Sequence, residues 1–164
     1  MSEEGHKKIL VIGIGNTGRQ DDGLGWLIID HILEDFKEVD KEYRYQLQIE
    51  DAELASHYSK VYFVDATKEK VDNGFYLKHC EASIKHGLSS HALHPETIIG
   101  LTNDLYDKFP EAFILGIQGY HWDLKIGISE KAKVNLKKAI KALSKILSFD
   151  IDNDTMSTKG THNT

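Results

Sequence analysis

The chain has 164 residues, of which 40% are hydrophobic and 28% are charged, and its formal net charge at pH 7 is −6. This length is sufficient for one globular domain with its own core. The acidic balance argues against a nucleic-acid-binding protein, because such proteins carry clustered basic residues. No stretch approaches the roughly 18 apolar residues of a membrane-spanning helix, so we expect no membrane association.

Cysteine usage and the first residues indicate the compartment. The single cysteine, Cys80, cannot form an internal disulfide, which favours a reducing environment. The opening MSEEGHKKIL lacks the basic and apolar parts of a signal peptide. We therefore expect a cytoplasmic protein.

The first half of the chain predicts strands alternating with helices. An unbroken apolar run at 9–14 is typical of a strand buried on both faces of a parallel sheet. Apolar residues at helical spacing follow from 24 to 36. Apolar and polar residues alternate from 43 to 49, which predicts a half-exposed strand near a sheet edge. Residues 60–66, KVYFVDA, predict a third, buried strand that ends on Asp65.

The second half continues this alternation. Residues 74–80 predict a fourth strand, and a loop rich in His and Ser separates it from a helix that begins at Pro95. Residues 112–119 predict a fifth strand. Ser129 is a suitable N-cap for a final amphipathic helix that extends as far as Leu147.

Together these elements predict an α/β three-layer sandwich, in which a mainly parallel, twisted sheet of about five strands has helices on both faces. We expect residues 1–149 to form a single domain and residues 150–164 to be a disordered polar tail. Ligands bind beyond the carboxyl ends of the strands in such sheets. A glycine-rich turn with two acids, Asp65, the histidine loop and residues 118–121 are expected to meet there.

The turn after the first strand, IGIGNTGRQDDGLG, permits two interpretations. Gly13, Gly15 and Gly18 have the G-x-G-x-x-G spacing of a dinucleotide-binding turn. In such a turn the helix begins at the glycines, so that its amides face the pyrophosphate. Here the helical pattern begins only at Leu24, after two carboxylates that would repel a phosphate. A dinucleotide-binding oxidoreductase is therefore the less favoured alternative.

The second interpretation is a metal site. Asp22, Asp65 and a histidine of the loop would supply two oxygen ligands and one nitrogen, a set that suits zinc or nickel better than magnesium. The histidines of this loop are His86, His91 and His94. Acids before a helix are also common as caps, and loop histidines often have no ligand role. The residue types alone leave the metal site and the structural roles both open.

The sequence LVIGIGNTGRQDDGLG resembles the N-terminal motif of the nickel-iron hydrogenase maturation endopeptidases. VYFVDA, SSHALHPETI and GIQGYHWDLKIGISEKA are similar to the family's later segments, so the resemblance covers about residues 8–147. It implies that Asp22, Asp65 and His91 are the metal ligands and the catalytic residues. His94 is the alternative to His91.

This resemblance also implies an activity. The protein would be a cytoplasmic, aspartyl-type endopeptidase that removes the C-terminal extension of a hydrogenase large-subunit precursor after nickel insertion. The nickel would be carried by the precursor. In the isolated protein the metal site could instead hold another divalent ion such as zinc. We expect a monomer, and Asp21 is the nearest candidate for a general base.

One segment departs from the family pattern. The loop after the family's second strand has an aspartate followed by glycines and a threonine, whereas residues 49–56 read IEDAELAS here. This difference keeps a second hypothesis open, a non-catalytic, metal-dependent chaperone or peptide-binding relative of these proteases.

Overall fold

The computed structural model of the protein describes residues 8–32, 34–84 and 93–160, with the backbone alone for 154–160. Five strands of this part of the chain form one sheet: β1 (Ile9–Ile14), β2 (Asp40–Arg44), β3 (Lys60–Thr67), β4 (Phe75–His79) and β5 (Glu111–Gln118). Their order is β2-β1-β3-β5-β4. All neighbouring pairs are parallel except β4 with β5, which is antiparallel.

Helices cover both faces of this sheet: α1 (Leu24–Ile32), α2 (Glu50–Ala55), α3 (Pro95–Tyr106) and α4 (Glu130–Gly160). One core joins α1 and α4 to the sheet, and the other joins α2 and α3 to the opposite face. Successive strand residues point to opposite faces, so Val11 lies in the first core and Leu10 and Ile12 in the second. The predicted α/β sandwich with a mainly parallel sheet is confirmed. Although α4 has 31 residues, no helix in the described ranges is apolar enough over a sufficient length to cross a membrane.

Two glycines let α1 pack directly on the sheet. A Cβ atom on Gly25 would lie 2.5 Å from the carbonyl oxygens of both Ile14 and Val64. A Cβ atom on Gly13 would lie 2.6 Å from the carbonyl oxygen of Gly25. Any larger residue at these positions would push the helix away from β1 and β3, and with it the turn that precedes the helix.

The second strand differs from its prediction. It spans Asp40–Arg44 rather than 43–49, although its predicted position at a sheet edge is confirmed. The residues that directly follow the predicted strand begin α2 at Glu50. Acids are favourable in the first turn of a helix, and the Asp51 carboxylate accepts bonds from the Gln48 amide at 2.9 Å and from Arg44 Nε at 3.0 Å. The segment that departs from the family pattern is therefore mostly a helix.

The last helix is longer than predicted. It continues past Phe149 to Gly160, through most of the stretch for which a disordered tail is predicted. Asp150, the first polar residue beyond Phe149, is tied to β3, because its carboxylate accepts bonds from Lys60 Nζ at 2.8 Å and from the Tyr62 hydroxyl at 2.5 Å. Residues 161–164 lie outside the described residues.

Candidate functional site

A cavity of about 290 Å³ lies beyond the carboxyl ends of β1 and β3. The chain leaves β1 towards β2 on one side, and β3 pairs with β1 on the other side. This is the switch point at which open α/β sheets bind ligands. The walls of the cavity include both predicted aspartate ligands, Asp22 and Asp65, together with Ile14, Gly15, Tyr45, Gln46, Leu47, Leu93, His94 and Pro95.

Asp22 reaches this cavity through a tight turn. After β1, the Asn16 amide donates to the Asp22 carbonyl oxygen at 3.0 Å, which closes the turn on itself. Gly15 has φ 145°, and a Cβ atom there would lie 2.0 Å from the same carbonyl oxygen. Only glycine accepts both this conformation and this approach. The glycine of the motif thus positions a carboxylate.

The segment Thr17–Gly23 forms a 3-10 turn before α1 begins at Leu24. The N-terminus of α1 is therefore separated from the glycines, as the sequence analysis predicts. A dinucleotide turn needs that helix end beside its glycines, and this arrangement gives the dinucleotide interpretation no support.

Both aspartates of the cavity have raised pKa values. Burial raises the pKa of Asp65 to about 7, the Ala66 amide opposes this shift, and the negative charge of Asp22 adds to it. Burial also raises the pKa of Asp22, although the positive charges of Arg19 and Lys68 and a hydrogen bond from the Asn16 amide partly offset the effect. Two carboxylates that repel each other in a half-buried site are suited to a divalent cation, which neutralises both.

The third predicted ligand is a histidine of the loop before α3. His86 and His91 lie outside the described residues, so the assignment of His91 stays a prediction. His94 lines the cavity and immediately precedes α3, in an extended conformation at φ −91° and ψ 155°. Among the residues that the structure describes, no group of three His, Cys, Asp or Glu side chains is placed to hold a metal ion. The two aspartates would need a further ligand from outside these residues or from the substrate.

The direction of β4 corrects one expectation. The sequence predicts that the fourth strand ends beside the carboxyl ends of the others. Because β4 is antiparallel to β5, its carboxyl end instead lies at the amino end of β5. The described chain resumes at the cavity, where Leu93 forms a bridge with Leu47 and Pro95 begins α3.

The structure gives Asp21 a different role from the one that the sequence suggests. Its side chain is fully buried. Its carboxylate accepts bonds from the amides of Tyr120 (2.7 Å), His121 (3.0 Å) and Ser129 (2.8 Å), and from the Ser129 hydroxyl (2.8 Å). Burial raises the pKa of Asp21, but these hydrogen bonds outweigh it and hold the pKa below its usual value. Asp21 is thus an anchor for the loop after β5 and not a general base.

Two further contacts near the cavity are not predicted by the sequence. Tyr45 lines the cavity because β2 ends one residue earlier, and its ring packs against Trp26 with the centroids 5.0 Å apart. Arg44 is paired with the buried Asp51. No local pattern marks these contacts, because each depends on where β2 leaves the sheet.

The protein resembles known proteins in its structure. The sequence matches no protein-family model, and no curated protein is significantly similar to it. Among solved structures, the [NiFe] hydrogenase maturation protease HycI from Thermococcus kodakarensis has a TM-score of 0.67 at 22% identity, covering 89% of this chain and 96% of that one. The hydrogenase maturating endopeptidase HybD from E. coli has a TM-score of 0.66 at 16% identity, covering 86% and 92%.

A third match is the hydrogenase 2 maturation peptidase from Thaumarchaeota archaeon SCGC_AB-539-E09, with a TM-score of 0.63 at 18% identity, over 87% of this chain and 99% of that one. At such identities a likeness establishes the fold. The chain shares the fold of hydrogenase maturation proteases, and the resemblance in its sequence is confirmed at that level.

Proposed function

We propose that the protein is an endopeptidase that removes the C-terminal extension of a hydrogenase large-subunit precursor once nickel has been inserted. The observation that carries the proposal is the meeting of Asp22 and Asp65 at one switch-point cavity, in the fold of proteins with that activity. The precursor supplies the nickel, so the metal is part of the substrate.

In this proposal the two carboxylates bind the precursor's metal, with His91 of the histidine loop as the third ligand. A divalent ion polarises a carbonyl group or activates a water for hydrolysis. The protein's own part is to bind and orient the ion. Because Asp65 has a pKa of about 7, its proton must leave before the carboxylate can bind a cation.

Protein nucleophiles have little support. Cys80 is only 2% exposed, and burial raises the pKa of its thiol to about 12, so it carries almost no thiolate at neutral pH. The sequence has no G-x-S-x-G elbow that would present a serine. We therefore propose hydrolysis assisted by the precursor's metal.

The proposal is tested with purified large-subunit precursor from the same organism, prepared with and without nickel. We expect the protein to shorten only the nickel-loaded form, and mass spectrometry of the product gives the cleaved bond. Tight binding of the loaded precursor without any shortening would instead support the chaperone or peptide-binding hypothesis.

A further inference from the structure

The loop that follows β5, residues 120–128, exposes two large aliphatic side chains. Leu124 is 81% exposed and Ile126 is 87% exposed. Single exposed apolar residues are common on protein surfaces, but two in one short loop form a concentrated apolar projection. We call Leu124 and Ile126 together the aliphatic pair.

Hydrogen bonds tie this loop to the turn that carries Asp22. The Asp21 amide donates to the His121 carbonyl oxygen at 3.0 Å, and the Gln20 amide donates to that of Lys125 at 2.9 Å. The Asp123 amide donates to Gln20 Oε1 at 3.2 Å. The Asp21 carboxylate adds the bonds described above. The aliphatic pair is therefore presented on a backbone connected to the residue immediately before Asp22.

Side-chain packing also connects the loop to the segment that follows β3. The Trp122 ring packs so closely on Gly119 that a Cβ atom there would lie 2.9 Å from the ring. Lys68, three residues after Asp65, places its ammonium group 5.3 Å from the centroid of the same ring, within the range of a cation–π interaction. The loop is thus joined to the turn that carries Asp22 and to the segment that follows Asp65.

Exposed basic side chains outnumber the acid that the loop carries. Lys125 lies between the two members of the aliphatic pair and offsets the exposed Asp123 of the same loop, and Arg19 and Lys68 are exposed on the two segments that the loop contacts. This concentration contrasts with the net charge of −6 of the whole chain. Complementary charge selects the partners of a surface, so an occupant of this surface would carry acidic as well as aliphatic side chains.

We infer that the loop of residues 120–128 is a docking surface for the precursor, and that it binds a segment with aliphatic and acidic side chains near the bond to be cut. This inference rests on the proposed function, because the partner is the same precursor. The loop adds affinity and orients the precursor relative to Asp22, while the aspartates bind the metal. Leu124 and Ile126 are binding residues and take no part in the chemical step.

The test replaces both aliphatic side chains, Leu124→Ser with Ile126→Ser. A matched control replaces Leu105 and Phe109 by serine, because these side chains are 62% and 72% exposed. Leu105 is in the last turn of α3, and Phe109 lies between α3 and the amino end of β5, whereas the loop of residues 120–128 follows the carboxyl end of β5. Binding of each variant to the nickel-loaded precursor is measured by isothermal titration calorimetry, and cleavage is followed separately. Circular dichroism checks that both double variants keep the wild-type fold.

Burying one aliphatic side chain typically strengthens binding by about tenfold or more. We expect the Leu124/Ile126 double variant to bind ~10–100-fold more weakly and to have a higher KM with an unchanged kcat, while the control behaves as wild type. Equal binding by wild type and the loop variant would overturn the inference and leave the protease proposal intact. Weakened binding with no cleavage by any form would support the docking surface and overturn the protease proposal. A wild type that does not bind the loaded precursor contradicts both.

Discussion

The carboxylate of Asp21 accepts hydrogen bonds from both the amide and the hydroxyl of Ser129, each at 2.8 Å, although 108 residues separate the two in the chain. Ser129 also caps the helix that begins at Glu130, where its hydroxyl accepts a bond from the Ala132 amide at 3.2 Å. Asp21 thereby joins the start of α4 to the turn after β1. The next residue, Asp22, faces the cavity, so the two neighbouring acids have separate roles.

Replacing Asp21 by alanine should destabilise the protein strongly. The change removes a fully buried acceptor from the amides of Tyr120, His121 and Ser129, and a buried donor that loses its partner costs about 1–3 kcal/mol. We expect the free energy of unfolding in urea to fall by roughly 3–5 kcal/mol. Asp123→Ala, an exposed acid in the same loop, is the control and should stay near the wild-type value; a similar loss in both variants would remove the anchoring role.

Acid should weaken the same anchor. The native pKa of Asp21 is lower than its usual value of 3.8, so the unfolded chain binds a proton at a higher pH than the native protein does. The stabilisation is therefore complete above about pH 4 and is lost as the pH falls through the native pKa. Urea unfolding from pH 5 to pH 2 should show a steeper loss of stability in wild type than in Asp21→Asn. Parallel curves would contradict this.

Gly15→Ala should displace the turn that carries Asp22. The new Cβ atom would lie 2.0 Å from the Asp22 carbonyl oxygen, in a backbone conformation at φ 145°. Gly127→Ala is a matched control, because Gly127 also has a positive φ, 104°, but nothing lies within 4 Å of its added Cβ. We expect the control to lose about 1 kcal/mol from strain alone, and Gly15→Ala to lose clearly more. Equal losses in thermal denaturation would show that the turn tolerates the extra carbon.

Asp65 should lower the stability of the protein as the pH rises, whereas Asp21 should lower it as the pH falls. Its pKa is raised from 3.8 to about 7 in the native protein, so between these values the unfolded chain is ionised while the native side chain keeps its proton. The free energy of unfolding therefore falls as the pH rises from 4 to 7 and is constant above that range. Asp65→Asn removes this cost, and its advantage over wild type should grow by on the order of 4 kcal/mol. An advantage that is the same at pH 4 and pH 8 would contradict the raised pKa.

A divalent cation should compete with the proton on Asp65. We expect Zn²⁺ to bind the isolated protein about tenfold more weakly for each pH unit below 7. The measurement is calorimetric titration with Zn²⁺ at pH 6 and pH 8, for wild type and Asp22→Asn. If the Asp22 variant binds as tightly as wild type, the two aspartates do not form a common metal site.

Burial explains which parts of this molecule could be predicted from its sequence. β1 and β3 are apolar runs that are buried on both faces, so their positions and the place of Asp65 follow from the sequence. β2 is a polar edge strand, and alternation alone could not show that Tyr45 leaves the sheet to pack on Trp26. The direction of β4 and the partners of Asp21 depend on contacts between distant segments. The sequence contains no local signal for either.

The most direct test of the central claim is cleavage of the nickel-loaded precursor by wild type, Asp22→Asn, Asp65→Asn and a control, Asp104→Asn, which changes an exposed acid on α3. Mass spectrometry under single-turnover conditions gives the rate at which the C-terminal peptide is released. The account predicts equal release by wild type and the control, and a loss of at least 100-fold for each cavity variant. Release by Asp22→Asn and Asp65→Asn at the wild-type rate, or no release by wild type, would contradict it.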